Sequence, residues 1–416
     1  ARFHRQRGDE VFFLTGTDEN AIRNDRAAKA EGVPTRQLVD RHAAEFRRMC
    51  DLWQISYDRF IRTTDPDHVA GVQEFVRRWI ASDDIYLHTY EGLYCVGCEA
   101  FYEESDLVDG HCPIHGTSRE IERVSEENYF FRLTKYAGRL KALYRDHPEF
   151  CVPEIRRNEV LGWLDRGLKD VSVSRRGLDW GIPFPDHPDH TVYVWFDALI
   201  RSSGNMIDPI AAAGEWGSDA ARYLVLREAP FEKDSPISPE SFNARFNADL
   251  ANGLGNLVSR TMAMVERYFG GSIPDPGPVG PSERTVRDVA ERVLRDHDEA
   301  ASQLRFADAL AEAFRLVDAA NKHYTRTQPW QLAREPDRKG ELGAALYAGC
   351  EALRLLAYLL WPYLPATAER IAEQLSAPSP ASAPWQDVAT WGVLAAGAQV
   401  RAGPALFPRL EPPKVA

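Results

Sequence analysis

The first two hundred residues alternate short apolar runs with helical periodicity, which is typical of an α/β domain. Residues Val11 to Thr15 form a continuous apolar run that ends at Gly16, and this run predicts a buried parallel strand with Asp18 just beyond its carboxyl end. Small ligands bind at that edge of an α/β sheet. A second apolar run, from Val192 to Phe196, predicts another strand. Between the two runs, apolar residues at helical spacing predict an amphipathic helix with Val69, Val72, Phe75, Val76, Trp79 and Ile80 on one face.

From about residue 249 onward only the helical period remains. Three successive segments each place apolar residues on one face of a helix. The first face carries Leu250, Leu254, Leu257, Val258 and Val265, the second Phe306, Leu310, Phe314 and Val317, and the third Leu342, Leu346, Leu353 and Leu356. The pattern therefore predicts an all-α bundle that follows the α/β part.

Composition narrows the class of protein. The chain has 416 residues, of which 44% are hydrophobic, enough for two or three domains with a sizeable core. Its net charge of −12 disfavours indiscriminate nucleic-acid binding but leaves room for RNA contact through a local patch. Single cysteines at Cys50, Cys151 and Cys350 suit a reducing cytosol. No signal peptide is visible, and the most apolar stretch, Leu355 to Leu364, is too short to span a bilayer. We expect a cytoplasmic protein without a membrane partner.

Four soft metal ligands occur at the spacing of a zinc knuckle. Cys95 and Cys98 form a CxxC pair, and Cys112 and His115 form a CxxH pair, with thirteen residues between the two pairs. Three thiolates and one imidazole suit a closed, tetrahedral, structural Zn²⁺ site. The alternatives are disulfides or coincidence. A closed site stabilises a fold without reacting, so this pattern locates a domain and does not name a reaction.

Motifs spread over nearly the whole chain resemble those of methionyl-tRNA synthetases, and they follow the same order. They are Gly16-Thr17-Asp18-Glu19, Glu91-Gly92-Leu93-Tyr94-Cys95, Asn128-Tyr129-Phe130-Phe131-Arg132-Leu133, Trp180-Gly181-Ile182-Pro183, Tyr193-Val194-Trp195-Phe196-Asp197-Ala198, Asp249-Leu250-Ala251-Asn252, Gly255-Asn256-Leu257-Val258-Ser259-Arg260 and Pro329-Trp330. Because the motifs are long and collinear, chance similarity is negligible.

The resemblance implies an α/β Rossmann-like class I synthetase catalytic domain with a zinc-binding connective insert, followed by an all-α anticodon-binding helical bundle. The implied domains are residues 1–82 and 156–200 for the two parts of the catalytic domain, 83–155 for the zinc insert, 201–248 for a KMSKS-loop remnant and stem-contact region, 249–378 for the anticodon-binding domain and 379–416 for a C-terminal tail.

The resemblance also implies residues that handle the amino acid and ATP. Asp18 matches the aspartate that pairs with the α-amino group, and it could otherwise cap the following helix. Trp195 and Ala198 match positions that line the methionine side-chain pocket, although Trp195 could be simple core. Arg175 matches an arginine associated with catalysis, with a surface ion pair as its alternative. Arg201 stands where the second lysine of the KMSKS loop is expected, and it keeps a cation for phosphate.

A second set of matched residues points to RNA. Asn256 and Arg260 are four residues apart, so they share a helix face opposite Leu254 and Leu257. Trp330 follows Pro329 at the start of a helix, where its indole can be exposed. An amide, a guanidinium and an aromatic platform suit unstacked RNA bases, and these positions match the residues that read the CAU anticodon. The alternative is a polar face beside a packed tryptophan.

The chain departs from the family pattern in three places. The HIGH signature of the family lies upstream of the stretch that matches Ala1-Arg2-Phe3-His4, and several dozen residues, including a strand and part of the KMSKS loop, are missing between Ile200 and Arg201. Both losses fall on the ATP site, and losing a strand would expose a sheet edge and part of its core. Either the natural protein contains these segments, or they are truly deleted. After Glu19 the family usually has His-Gly, whereas this chain has Asn20-Ala21.

We therefore predict a methionine–tRNA ligase that uses ATP with Mg²⁺, contains structural Zn²⁺ and acts on methionine and tRNA(Met), as a monomer. The resemblance implies attack of the amino-acid carboxylate on the α-phosphate of ATP, then transfer of the aminoacyl group to the terminal ribose of tRNA. Two alternatives stay open. One is a paralogue that activates an amino acid for a small-molecule pathway without tRNA, and Asn20-Ala21 is its best support. The other is a non-catalytic RNA-binding protein, which the two missing segments favour.

Overall fold

The structure, a computed structural model, describes residues 1–95, 100–102, 104–116, 121–197, 209–228, 238–277 and 279–410. The chain divides into two compact units. An α/β unit comprises Phe13–Asp51 and Tyr57–Met206, and a helical unit comprises Ala1–Phe12, Leu52–Ser56 and Ile207–Ala416.

The elements follow one another along the chain as follows. The α-helices are α1 (Arg2–Gln6), α2 (Ile22–Glu31), α3 (Thr35–Leu52), α4 (Pro66–Ala81), α5 (Ala137–Asp146), α6 (Glu154–Arg166), α7 (Val194–Asp197), α8 (Pro209–Trp216), α9 (Ser218–Glu228), α10 (Pro239–Arg245), α11 (Asn256–Phe269), α12 (Pro281–Ser302), α13 (Phe306–Thr327), α14 (Pro329–Leu332), α15 (Lys339–Leu360), α16 (Pro365–Gln374) and α17 (Trp385–Val388). The strands are β1 (Leu14–Thr17), β2 (Arg59–Arg62), β3 (Ile85–Cys95), β4 (Ala100–Tyr102), β5 (Ile121–Phe131), β6 (Val171–Ser172), β7 (Ser174–Arg176), β8 (Pro183–Phe184) and β9 (His187–Val192). A π-helix, Phe246–Gly255, joins α10 to α11.

The first predicted strand is parallel, as expected, but its bounds and burial were wrong. β1 starts at Leu14 and pairs with β2, with Gly16 opposite Ile61. A Cβ at Gly16 would lie 1.8 Å from the Ile61 carbonyl oxygen, so this close approach needs glycine. Phe12 is 72% exposed and Leu14 is 49% exposed. Within the described residues β2 is the one strand paired with β1, and the side chains of Phe12 and Leu14 stay exposed beside this two-stranded sheet.

The second predicted strand, Val192 to Phe196, was also wrong. β9 ends at Val192, and α7 follows at once, with the amide of Phe196 donating to the Tyr193 carbonyl at 2.8 Å. A continuous apolar run reports burial, and it does not distinguish a buried strand from a buried helical turn. Val192 and Val194 are indeed buried.

The core of the α/β unit forms between α4 and the antiparallel strands. The strands form two antiparallel sheets, ordered β4-β3-β5-β6 and β7-β9-β8. Val76, Ile85, Val173 and Phe184 belong to the core, and Trp79 packs against it. The predicted face of α4 is correct at its centre, whereas its edge positions are exposed, Phe75 by 55% and Ile80 by 39%. At 100° per residue these two positions bound the apolar stripe, which explains their exposure.

The helical unit surrounds α15, whose side chains from Leu342 to Leu360 are all buried. All three predicted apolar faces contribute to its core, which includes Leu254, Leu310 and Leu353. The stretch Pro336–Leu360 is long and apolar enough by composition to cross a membrane, but its apolar window is entirely buried, which is also typical of a core helix.

The segment that follows α16 packs onto this bundle. Ile273 donates to the Ala398 carbonyl and accepts from the Gly397 amide, both at 2.8 Å. Leu406 and Phe407 are buried in the same core. The described part of the predicted C-terminal tail, residues 379–410, therefore contributes to the helical unit.

Candidate functional site

Asp18, predicted to bind the substrate ammonium, follows β1 and is half-buried. Its neighbour Glu19 is almost fully buried and holds the loop. Two hydrogen bonds from the Arg62 guanidinium reach the Glu19 carboxylate, at 2.7 and 3.0 Å, and the hydroxyl of Thr17 donates to it at 2.7 Å. Arg62 also pairs with Asp40, at 2.6 Å. The buried Glu19–Arg62 pair fixes the carboxyl end of β1 to the carboxyl end of β2.

Backbone contacts fix the same loop from two further sides. The Trp180 indole donates to the Glu19 carbonyl at 2.7 Å, and the Glu19 amide donates to the Thr63 hydroxyl at 2.9 Å. The Asn20 amide group donates to the Thr63 carbonyl at 3.2 Å. No role was predicted from the sequence for Glu19, Arg62 or Trp180. Arg62 could have been suspected, because charged residues at the carboxyl ends of neighbouring parallel strands meet at one edge.

Arg175, predicted to be catalytic, lies on β7 and is 7% exposed, so it is not a surface ion pair. Its guanidinium carbon lies 3.6 Å from the centroid of the Tyr193 ring and 5.8 Å from that of Tyr94. It donates to the Ser172 hydroxyl at 2.8 Å and to the Ser174 carbonyl at 2.7 Å. These aromatic faces and acceptors orient the Arg175 guanidinium.

Three of the four predicted zinc ligands lie together. The Nδ1 atom of His115 is 3.7 Å from Cys95 Sγ and 3.6 Å from Cys112 Sγ. With Zn–S bonds of about 2.3 Å and Zn–N bonds of about 2.0–2.1 Å, a tetrahedral ion would separate such atoms by about 3.6 Å. Both thiols are buried and neither forms a disulfide, which argues against the disulfide alternative. The donor set and its spacing therefore fit Zn²⁺.

The residues predicted to read RNA form a surface of the helical unit. Asn256 is exposed at the start of α11, and Leu254 and Leu257 are fully buried on the opposite side. The Arg260 guanidinium, one turn after Asn256, lies 5.8 Å from the centroid of the Trp330 ring. Trp330, on α14, is 37% exposed. The structure thus brings Arg260 and Trp330 together, with Asn256 on the same helix.

Four predicted site residues lie wholly or partly outside the described residues. Cys98, Ala198 and Arg201 lie outside the described residues. The backbone of Trp195 belongs to α7, but its side chain also lies outside the described part of the chain.

Comparison with known families agrees with the motifs. A family described as class I tRNA synthetases (M) matches residues 1–124, 103–201 and 200–262, and the anticodon binding domain of methionyl tRNA ligase matches residues 273–415. Two of the class I matches meet at residues 200–201, where the sequence predicts a missing segment. Together the matches confirm the predicted fold class, an α/β class I catalytic domain and a helical anticodon-binding domain, whereas the zinc insert stays a prediction.

Individual proteins are similar over almost the whole chain. The methionine–tRNA ligase of Caldanaerobacter subterraneus subsp. tengcongensis is 36% identical over 484 aligned positions, which cover 99% of this chain and 74% of the relative. The ligase of Synechocystis sp. is 35% identical, over 99% of this chain and 93% of the relative. Since the first alignment is longer than the 416 residues of this chain, the relative has residues opposite gaps.

A solved structure shares the fold. Mycobacterium tuberculosis methionyl-tRNA synthetase in complex with methionyl-adenylate superposes with a TM-score of 0.92 and 34% identity, over 98% of this chain and 94% of that one. These relatives confirm the prediction of a methionine–tRNA ligase over the paralogue and the non-catalytic RNA-binding protein. The chain therefore belongs to the methionyl-tRNA synthetase family of class I aminoacyl-tRNA synthetases.

Proposed function

We propose that this chain attaches methionine to tRNA(Met) in two steps and recognises the tRNA through Asn256, Arg260 and Trp330. The main support for RNA recognition is the exposed indole of Trp330, which lies beside the Arg260 guanidinium. The guanidinium carbon is 5.8 Å from the ring centroid. A base of an RNA loop can stack on such a platform while the amide of Asn256 bonds to its edge.

For the first step, Asp18 would pair with the ammonium of methionine, and Trp195 and Ala198 would line the pocket for its thioether. Support comes from the Glu19–Arg62 pair, which holds the Asp18 loop in place before substrate arrives. Such preorganisation lowers the free-energy cost of orienting the carboxylate of methionine toward the α-phosphate of ATP. Arg175 and Arg201 would supply cations near the developing phosphate charge, and ATP would bind with Mg²⁺.

Zn²⁺ would be held by Cys95, Cys98, Cys112 and His115. A four-ligand site of this kind has no open position, so the ion would stabilise the loops between β3 and β5 without entering the reaction. The hydroxyl of Tyr102 lies 3.8 Å from Cys112 Sγ, where it can orient a ligand thiolate.

Substitution of Trp330 tests the RNA assignment. We expect Trp330→Ala to lower the rate constant for tRNA charging, kcat/KM, by about 5–150-fold, the cost of losing one base stack, because stacking contributes about 1–3 kcal/mol. Methionine-dependent pyrophosphate exchange should be unchanged. Trp163→Ala, which removes a tryptophan 53% exposed on α6, is the matched control and should affect neither rate. Equal loss of charging and exchange in Trp330→Ala would refute the anticodon role.

The monomeric state and the cytoplasmic location also belong to this proposal. Sedimentation velocity of the purified chain would measure the first, and fractionation of cells that express it the second.

A further inference from the structure

The helix that presents Asn256 and Arg260, α11, directly follows an unusual segment. Residues Phe246–Gly255 form a π-helix, and the amide of Asn256 donates to the Ala251 carbonyl, five residues back. Most π-helices are single-turn bulges, frequently at functional sites, and a stretch of ten residues needs support from its surroundings.

The π conformation decides where the recognition residues point. Each π-turn contains one residue more than an α-turn, and one residue of α-helix corresponds to a rotation of about 100°. If one turn of the segment relaxed to α geometry, α11 would rotate by about 100° relative to α10. Asn256 and Arg260 would then leave the side of the helix where Trp330 lies.

The C-terminal residues Leu406–Leu410, which we call the strap, bind the start of this segment. The Asn247 side-chain amide donates to the Leu410 carbonyl at 3.0 Å, and the Leu410 backbone amide donates back to Asn247 Oδ1 at 2.9 Å. This reciprocal pair holds a backbone unit as a neighbouring strand would.

The strap also contacts the π-helix through an aromatic side chain. The rings of Phe407 and Phe246 meet edge to face, with centroids 5.9 Å apart. At the other end of the segment, a Cβ on Gly255 would lie 3.0 Å from the Leu250 carbonyl oxygen and 3.8 Å from the Phe407 backbone nitrogen. Phe407 therefore reaches the residue directly before Asn256.

We propose that Asn247 and the strap are positioning elements for anticodon recognition, because they keep Phe246–Gly255 in the π conformation and so orient Asn256 and Arg260. Other contacts assist: Tyr223 donates to Asp249 at 2.6 Å, and Asn321 donates to the Gly253 carbonyl at 3.3 Å. Asn247 differs from these because it connects the segment to the strap. This inference rests on the proposed role of Asn256, Arg260 and Trp330.

The test measures binding of RNA hairpins to the whole chain by fluorescence anisotropy. One hairpin carries a CAU loop and the other a changed loop in the same stem, and the ratio of their Kd values is the preference for CAU. We expect Asn247→Ala to lower this preference by about 5–30-fold, the range for one or two lost hydrogen bonds. Hydrogen exchange in peptides that cover residues 248–256 should become faster.

Ser376→Ala is the matched control. It also removes a side-chain hydrogen bond to the C-terminal segment, from the Ser376 hydroxyl to the Gln399 carbonyl at 2.6 Å, and this bond involves neither the strap nor the π-helix. It should keep the CAU preference. If Asn247→Ala fails to fold, Leu410→Pro removes the strap amide that donates to Asn247, leaves Asn247 itself unchanged, and should lower the preference as well.

The outcomes separate the two proposals. A wild-type chain without preference for CAU would overturn the anticodon assignment itself. A wild-type preference that Asn247→Ala or Leu410→Pro leaves intact would overturn the role of the strap. An equal loss of preference in Ser376→Ala would also overturn it, because the effect would then be general.

Discussion

Glu351 and Arg354 form a fully buried ion pair on α15, and its removal should destabilise the helical unit. Glu351 is 0% exposed and Arg354 is 2% exposed. Arg354 donates to both carboxylate oxygens, at 2.8 and 2.7 Å. The carboxylate also accepts the backbone amides of Gly392, Val393 and Leu394, at 2.6, 3.1 and 3.2 Å.

The cost of Glu351→Ala follows from what it would leave behind. Arg354 would remain in the core without its counter-ion, a change that costs about 3–5 kcal/mol. The three amides would lose their acceptor too, but contacts in one network are not additive, so we keep this range. For a unit of about 200 residues, such a loss lowers Tm by about 6–20 °C.

A double variant distinguishes the ion pair from its backbone contacts. Arg354 also donates to the carbonyls of Val388 and Thr390, at 2.8 and 2.6 Å. An isolated buried pair can often be replaced by apolar residues at little cost. Here Glu351→Leu with Arg354→Met should not restore wild-type stability, because the segment from Val388 to Leu394 would still lack partners.

Urea denaturation and calorimetry of the single and double variants would measure these effects, with hydrogen exchange of residues 388–394 as the local readout. Glu291→Ala breaks the exposed Arg287–Glu291 pair on α12, 2.8 Å long, and is the control expected to change nothing measurable. Wild-type stability in Glu351→Ala, or full recovery in the double variant, would refute the reasoning.

Three further predictions concern the Glu19–Arg62 pair, the proposed zinc ligands and the buried His297. Arg62→Ala leaves the Glu19 carboxylate buried without its cation, so the KM for methionine in pyrophosphate exchange should rise. Arg62→Lys should recover part of this loss. An unchanged KM in Arg62→Ala would contradict the prediction. Cys112→Ser should reduce bound zinc from about one ion per chain to near zero by elemental analysis, whereas a chain that binds no zinc at all would contradict the site. Burial, with a smaller effect of Arg7, lowers the pKa of His297 to about 3. The unfolded chain takes up this proton below about pH 6.5, so the free energy of unfolding should fall by about 1.4 kcal/mol per pH unit from there to about pH 3, and His297→Phe should lack this part of the slope.

The helical half of the fold could be predicted from the sequence because its signal is local. Leu254 and Leu257 belong to the first predicted apolar face and Leu310 belongs to the second, and all three are fully buried. The CxxC and CxxH spacing likewise brought Cys95, Cys112 and His115 together, because the ligands lie near each other in the chain.

The failures share a different cause. Leu14 was expected to be buried, but its exposure depends on which strands cover the sheet, and no property of its own sequence neighbourhood reports that. The Glu19–Arg62 pair was missed because 43 residues separate the partners, and the Asn247–Leu410 pair joins residues 163 apart. Contacts of this range follow from topology, which periodicity does not supply.

The substitution of His-Gly by Asn20-Ala21 was the strongest sequence argument for a paralogue, and the structure weakens it. Asn20 is 7% exposed and Ala21 is 1% exposed. The Asn20 amide donates to the Thr63 carbonyl at the carboxyl end of β2, so it helps to attach the loop to the neighbouring strand. Asp18, two residues earlier, keeps its half-buried position on the same loop. Asn20 thus helps to hold the loop, and the carboxylate that would bind the ammonium is retained. An altered amino-acid preference would therefore need a cause other than the loss of Asp18.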